Sequence, residues 1–215
     1  MSNRYKIAHI FLVAILYLGG YVLIQNYITT HKFDFLTEFD QAVPLMPEYI
    51  WLYHSLIPAI LLTMLSLVRT KKLFLTTFWS CMLAGLILNI SYVCFPSFYP
   101  REPFEVNTIS EAFLHMTRQI DASNNTFPSG HVTFAWIMFL GASSSNLAKR
   151  VVGIRRLYLL WAIAITMSTL VLKQHYIVDV ISGITLAVAC FYAARSFIEH
   201  YSFGSNLFIN DASDN

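Results

Sequence analysis

Long apolar stretches almost free of Asp, Glu, Lys and Arg alternate along this chain with short polar connections. Residues 7–28, 49–68, 73–95, 131–147, 157–172 and 176–198 are each long enough for a helix. Their apolar residues come in runs, not at the spacing of a one-sided amphipathic helix, so lipid is the expected solvent. The pattern predicts an all-α, polytopic bundle of six transmembrane helices spanning residues 1–202. The second helix should kink at Pro58. The last three stretches are shorter or more polar than a lone span, which suits helices packed inside a bundle.

Composition agrees with that pattern. Hydrophobic residues make up 56% of the 215 positions and charged residues only 12%, against about a quarter charged in soluble domains. Residues 7–28 resemble a signal peptide in following Arg4 and Lys6, but they are too long and lack a small-x-small cleavage site, so a retained span is expected. Cys81, Cys94 and Cys190 fall within or at the end of apolar runs and read as free thiols, without disulfide or metal-ligand spacing. A net charge of +2 with no basic stripe argues against nucleic acid as a partner.

Where the basic residues fall sets the expected orientation. Arg4, Lys6, Arg69, Lys71, Lys72, Lys149, Arg150, Arg155, Arg156 and Arg195 lie on one side of the six spans, and only Lys32, Arg101, Arg118 and Lys173 on the other. Both termini are therefore expected in the cytoplasm, with residues 203–215 as a disordered cytoplasmic tail. The opposite face is periplasm or cell exterior in a bacterium, whose inner membrane is the expected location, or lumen in a eukaryote. On that outer side Thr108-Ile109-Ser110-Glu111 has capping-box spacing, and Ile109, Phe113, Met116 and Ile120 then share a face, predicting a short interfacial helix. Phe35, Leu36 and Phe39 hint at a second. Asn124-Asn125-Thr126 matches a glycosylation sequon but abuts the chemistry below, and is discounted.

Two polar stretches open apolar runs on the outer face: Pro128-Ser129-Gly130-His131 and Lys173-Gln174-His175-Tyr176-Ile177-Val178-Asp179. His175 and Asp179, four apart, share a helix face, so the carboxylate can hold one ring nitrogen and leave the other free. Asp179 in an apolar run calls for a polar partner, though capping its own helix is an equal reading. The Ser129-Gly130 turn leads into a helix whose first N–H groups favour an anion. Two histidines could supply a nucleophile and a general acid for phosphoryl transfer.

These residues resemble the type 2 phosphatidic acid phosphatase superfamily. Pro128-Ser129-Gly130-His131 is its second signature motif, and Ser168, His175 and Asp179 stand at the positions of the third, which runs Ser-Arg, five residues, His, three residues, Asp. Thr169 replaces the phosphate-binding Arg. The first motif, Lys, six residues, Arg-Pro, survives only as Arg101, with Cys94 and Glu102 in the Lys and Pro places. The resemblance covers about residues 73–198.

It implies a lipid phosphatase in which His175 is the nucleophile forming a phosphohistidine, Asp179 its orienter and His131 the general acid. Arg101, Lys173, Ser129 and the Gly130 amide would hold the phosphate oxygens, Lys173 standing in for the lost Arg. No metal or other cofactor is implied. The run His175-Tyr176 then Asp179-Val180 is similar to sphingomyelin and inositol phosphorylceramide synthases, so transfer of a phospho-headgroup to a lipid alcohol is the alternative to hydrolysis. A degenerate enzyme that only binds a lipid phosphate is a further alternative.

Overall fold

A computed structural model describes residues 17, 19–28 and 33–204, with side chains as far as 200. Ten α-helices and one short 3-10 helix (Pro47–Tyr49) appear among these residues: α1, described over residues 19–27, then α2 (Glu38–Ala42), α3 (Ile50–His54), α4 (Leu56–Leu67), α5 (Lys71–Cys94), α6 (Ile109–Ile120), α7 (Gly130–Ser143), α8 (Asn146–Arg150), α9 (Val152–Val171) and α10 (Ile177–Gly204). Two isolated bridges, Phe33 with Ser97 and Phe98 with Asn124, tie the connecting loops together at one end of the bundle. The fold is all-α. Half of the first expected span and residues 205–215 of the expected tail lie outside the described residues.

Four stretches among the described residues are long and apolar enough to cross a membrane: Pro47–Leu67, Lys71–Cys94, Val152–Val171 and Ile177–His200. Their outward sides carry Leu62, Leu86, Leu160 and Ile181, all exposed. Continuous exposed apolar faces of this kind need lipid around them. The chain is an integral membrane protein.

The expected kink shows itself one turn before its cause. Pro58 has no N–H to give the carbonyl of His54, so the ladder breaks and Ser55 separates α3 from α4. The Ser55 hydroxyl bonds the Leu52 carbonyl at 2.6 Å in that gap.

The fourth stretch is shorter than the sequence implied. α7 ends at Ser143, not at 147, because three serines follow one another there. Ser144 turns its hydroxyl back to the Leu140 carbonyl at 2.8 Å, and Ser145 caps α8 by accepting from Ala148 N–H at 3.1 Å. Fourteen residues reach about 21 Å, less than the ~30 Å hydrocarbon layer. α7 tolerates this because it is the central helix, packed on α4, α5, α9 and α10. Its Ala135, Ile137 and Met138 are buried against Phe78 and Leu88 of α5, Ile165 of α9 and Ala187 of α10.

The contact that sets the site is between α7 and α10. Gly183 lets α10 approach so closely that a Cβ there would stand 2.9 Å from the Ser129 carbonyl oxygen and 3.2 Å from Thr133 Oγ1. Thr133 Oγ1 uses that proximity to reach both the Ser129 and Gly183 carbonyls, at 2.8 and 3.2 Å. The N-termini of α7 and α10 are thereby held side by side.

The capping box of α6 is complete: Thr108 Oγ1 accepts from Glu111 N–H at 3.2 Å, and Glu111 Oε2 accepts from Thr108 N–H at 2.7 Å. Leu114 and Thr117 face the protein while Ile109 and Ile120 are 78% and 73% exposed. Those apolar side chains, at the headgroup end of the bundle, fit the interfacial helix that the spacing predicts.

Candidate active site

The α9–α10 hairpin builds one half of the site. α9 ends in a Schellman turn: Gln174 N–H returns to the Thr169 carbonyl and Lys173 N–H to the Leu170 carbonyl, both at 3.0 Å. The residue after the cap must then be left-handed, and Lys173 takes that place with φ 55°. A side-chain-bearing residue there costs roughly 1 kcal/mol or more relative to glycine. His175 N–H also leans on the Thr169 carbonyl, at 3.3 Å. Thr169, at the position of the lost Arg, is thus fully buried and acts through its backbone.

Two carboxylates cap α10. Asp40, buried and itself locked in a capping box with Thr37, accepts from Ile177 N–H at 2.7 Å. Asp179 Oδ2 accepts from Tyr176 N–H at 2.9 Å. The same Oδ2 lies 3.4 Å from His175 Nδ1, so Asp179 caps its helix and faces the imidazole at once. Asp179 is fully buried, and its Oδ1 has no hydrogen-bond partner among the described residues.

The loop before α7 supplies the other half. Ser97 Oγ pairs with Thr126 Oγ1 at 2.5 Å and accepts from Phe127 N–H at 3.1 Å. Asn124 Nδ2 donates to the Gln25 and Ile28 carbonyls of α1, so the sequon asparagine is a buried strut. Thr126 is held with its carbonyl oxygen 2.9 Å from His175 Nδ1. A carbonyl can only accept, so Nδ1 carries the proton and Nε2 keeps a lone pair in the neutral ring.

Ser129 joins the halves. Its N–H donates to the Asp179 carbonyl at 3.0 Å, and its Oγ accepts from Val132 N–H at 3.4 Å as the N-cap of α7. Gly130 begins α7 with the Tyr17 and Tyr92 hydroxyls closed against its Cα. The first-turn N–H groups of α7 precede its hydrogen-bond ladder. His131 follows, its ring stacked on Tyr53 with centroids 3.8 Å apart at 21°, and within electrostatic reach of His175 and His54.

Of the expected phosphate ligands, Arg101 and Lys173 are engaged elsewhere. Arg101 donates to the carbonyls of Arg118, Asp121 and Ala122 and to Gln174 Oε1, and its Nε is buried without a partner among the described residues. It holds the C-terminus of α6 and touches the residue next to His175. Lys173 Nζ donates to the Asp40 carbonyl at 2.5 Å and lines a neighbouring cavity. Burial lowers its pKa, and Asp40 and Glu102 partly offset that.

Several participants had no sequence signal. Tyr53 bears on His131, its hydroxyl 3.4 Å from Asp121 Oδ2, and Tyr21 bonds the other oxygen of Asp121. His54 Nε2 meets Thr117 Oγ1 at 2.8 Å. Thr126 contributes only a carbonyl, and no residue-type pattern reports a carbonyl.

The chain belongs to the PAP2 superfamily, whose family match covers residues 35–193, more than half of its length. The match begins ahead of residue 73, where the motif resemblance begins, and so takes in Asp40 and Tyr53. No curated protein and no solved structure matches the chain. Membership places it among enzymes with phosphatase or phosphotransferase chemistry on lipid phosphates.

Proposed function

We propose that this protein is a metal-independent lipid phosphatase of six spans, with both termini in the cytoplasm and its site on the outer face. The observation that carries the mechanism is the double contact of His175 Nδ1 with the Thr126 carbonyl and the Asp179 carboxylate. It turns the Nε2 lone pair toward a substrate and stabilises the positive ring that forms on attack. Basic Lys72 and Arg195, both paired with Glu199 at the far end of the bundle, support the orientation.

In the first step Nε2 of His175 bonds to phosphorus as the phosphorus–oxygen bond to the lipid breaks. His131 passes a proton to the departing alcohol oxygen. In the second step water attacks the phosphohistidine, giving a proton to His131; the phosphorus–nitrogen bond breaks and phosphate leaves. The Ser129 hydroxyl, the Gly130 N–H and the α7 terminus receive the phosphate oxygens, and Arg101 supplies positive charge from behind Gln174. Lys173 is left out of this set because its ammonium reaches the Asp40 carbonyl and lines the neighbouring cavity instead.

The run His175-Tyr176 with Asp179-Val180 favours a second reading, in which a lipid hydroxyl replaces water in the second step. Purified protein in mixed micelles with EDTA separates the two. Offered phosphatidic acid, a polyprenyl diphosphate, or a phospholipid with diacylglycerol, the wild type releases free phosphate and a His175→Ala variant does not. Headgroup transfer without free phosphate supports the synthase reading, and inactivity on all three opposes both.

A further inference from the structure

Beside the α9–α10 hairpin lies a cavity of about 480 Å³, walled by Leu36 and Val43 of the first outer loop, by Tyr99 and Glu102, and by Arg118 and Lys173. None of His131, His175 and Asp179 lines it. It is a separate space on the same outer rim.

Its two cations keep donors without partners among the described residues. Lys173 occupies a backbone position that favours glycine, so its side chain is kept there against a conformational preference. Of the three donors on its ammonium, one is recorded on the Asp40 carbonyl. Among the described residues Arg118 donates only to backbone carbonyls, of Glu102 and Leu172, each at 3.1 Å, and its guanidinium lies 5.1 Å from the Phe104 ring centroid. Its Nε is buried and has no partner among the described residues. Burial, then the nearby charge of Arg101, brings Arg118 down to about 10, so it stays charged at neutral pH.

Asp40 and Glu102 also line the cavity and partly offset the charge of Lys173, whereas Arg118 faces the like charge of Arg101. Both Asp40 oxygens are taken, by Ile177 N–H and by the Thr37 N–H and hydroxyl. Glu102 makes no ion pair with either cation among the described residues. A cavity with unused cationic donors on one wall and aliphatic side chains on another matches a phosphate attached to something apolar.

We propose that this cavity is a second anion subsite, in which Lys173 and Arg118 hold the phosphate of a lipid headgroup. It is distinct from the place where phosphorus meets His175. The site fits a second phosphate of the substrate or the headgroup of a neighbouring lipid, and both present the same chemistry to it.

The test uses full-length protein carrying His175→Ala, so that no ligand is consumed, in an uncharged detergent. Dioctanoyl phosphatidic acid, inorganic phosphate and dioctanoylglycerol are titrated by calorimetry, with and without Lys173→Gly or Arg118→Gln. Lys173→Gly suits the left-handed turn and should raise the melting temperature while weakening phosphatidic acid binding at least tenfold. A loss confined to phosphatidic acid supports a lipid headgroup as the ligand; an equal loss for inorganic phosphate supports a phosphate subsite open to either source. Affinities for both within twofold of the parent after Lys173→Gly overturn the proposal, even if Arg118→Gln fails to fold. Because His175 is already absent, that failure leaves the catalytic reading untouched.

Discussion

His175 donates its Nδ1 proton to the carbonyl oxygen of Thr126, 2.9 Å away. The ring is thereby oriented by a backbone atom as well as by Asp179, and the two contacts perform different tasks. The carbonyl selects the tautomer, while the carboxylate adds charge that grows in value as the ring becomes positive.

Separating those tasks gives the first prediction. Asp179→Asn keeps an acceptor for Tyr176 N–H and should melt within a few degrees of wild type, yet kcat should fall on the order of 100-fold. Asp179→Ala removes the cap as well and should also lose about 1 kcal/mol of stability. Initial rates and thermal melts check both, and an unchanged rate in Asp179→Asn would remove the carboxylate from the mechanism.

Tyr53 should matter through its ring. Tyr53→Phe keeps the stack on His131 and loses only the long bond to Asp121, so its kcat should stay within a few-fold of wild type. Tyr53→Leu removes a ring contact worth about 1 kcal/mol, which converts to a loss of roughly fivefold in kcat with KM little changed. Equal rates for the two variants would make Tyr53 ordinary packing.

The approach of α10 to α7 should tolerate no added atom. Gly183→Ala forces a methyl against the Ser129 carbonyl and should cost about 1–3 kcal/mol, with activity falling alongside. Gly153, with nothing within 4 Å of a Cβ, is the control: Gly153→Ala should leave the melting temperature unchanged or higher. Matching melts for the two would show that the helices are not in tight contact at Gly183.

Orientation is open to chemical labelling. In a Cys94→Ser background, since Cys94 is exposed, Ser123→Cys should react with an impermeant thiol reagent added outside intact cells. Labelling only after permeabilisation would reverse the orientation.

Local regularities were legible in the sequence, and relations between distant segments were not. The capping box at Thr108 lies within one helical turn, where geometry follows from spacing alone; His175 and Asp179 do meet, but His175 stands in the bend before α10 and not on its face, and Asp179 reaches it by folding back as the cap on Tyr176 N–H. Pro58 announced a kink, though the break falls at Ser55 because the missing N–H is felt by the preceding turn. The early end of α7 depended on what Ser144 and Ser145 do with their hydroxyls. Tyr53 on His131 and Thr126 on His175 join segments far apart in the chain, and carry no periodic signal. Arg101 and Lys173 show the limit of charge-counting: both lie at the same end of the bundle as His175, but carbonyl oxygens there claim their donors.

The most direct test of the proposed chemistry is to look for the covalent intermediate. Purified protein would be mixed with a radiolabelled lipid phosphate for milliseconds to seconds, quenched in alkali, which preserves phosphohistidine, and mapped by mass spectrometry. Label on His175, absent from His175→Ala and accumulating in His131→Ala to the extent that the second step is slowed, is the predicted result. Rapid turnover with no label on His175 at any quench time, or label on another residue, would contradict it.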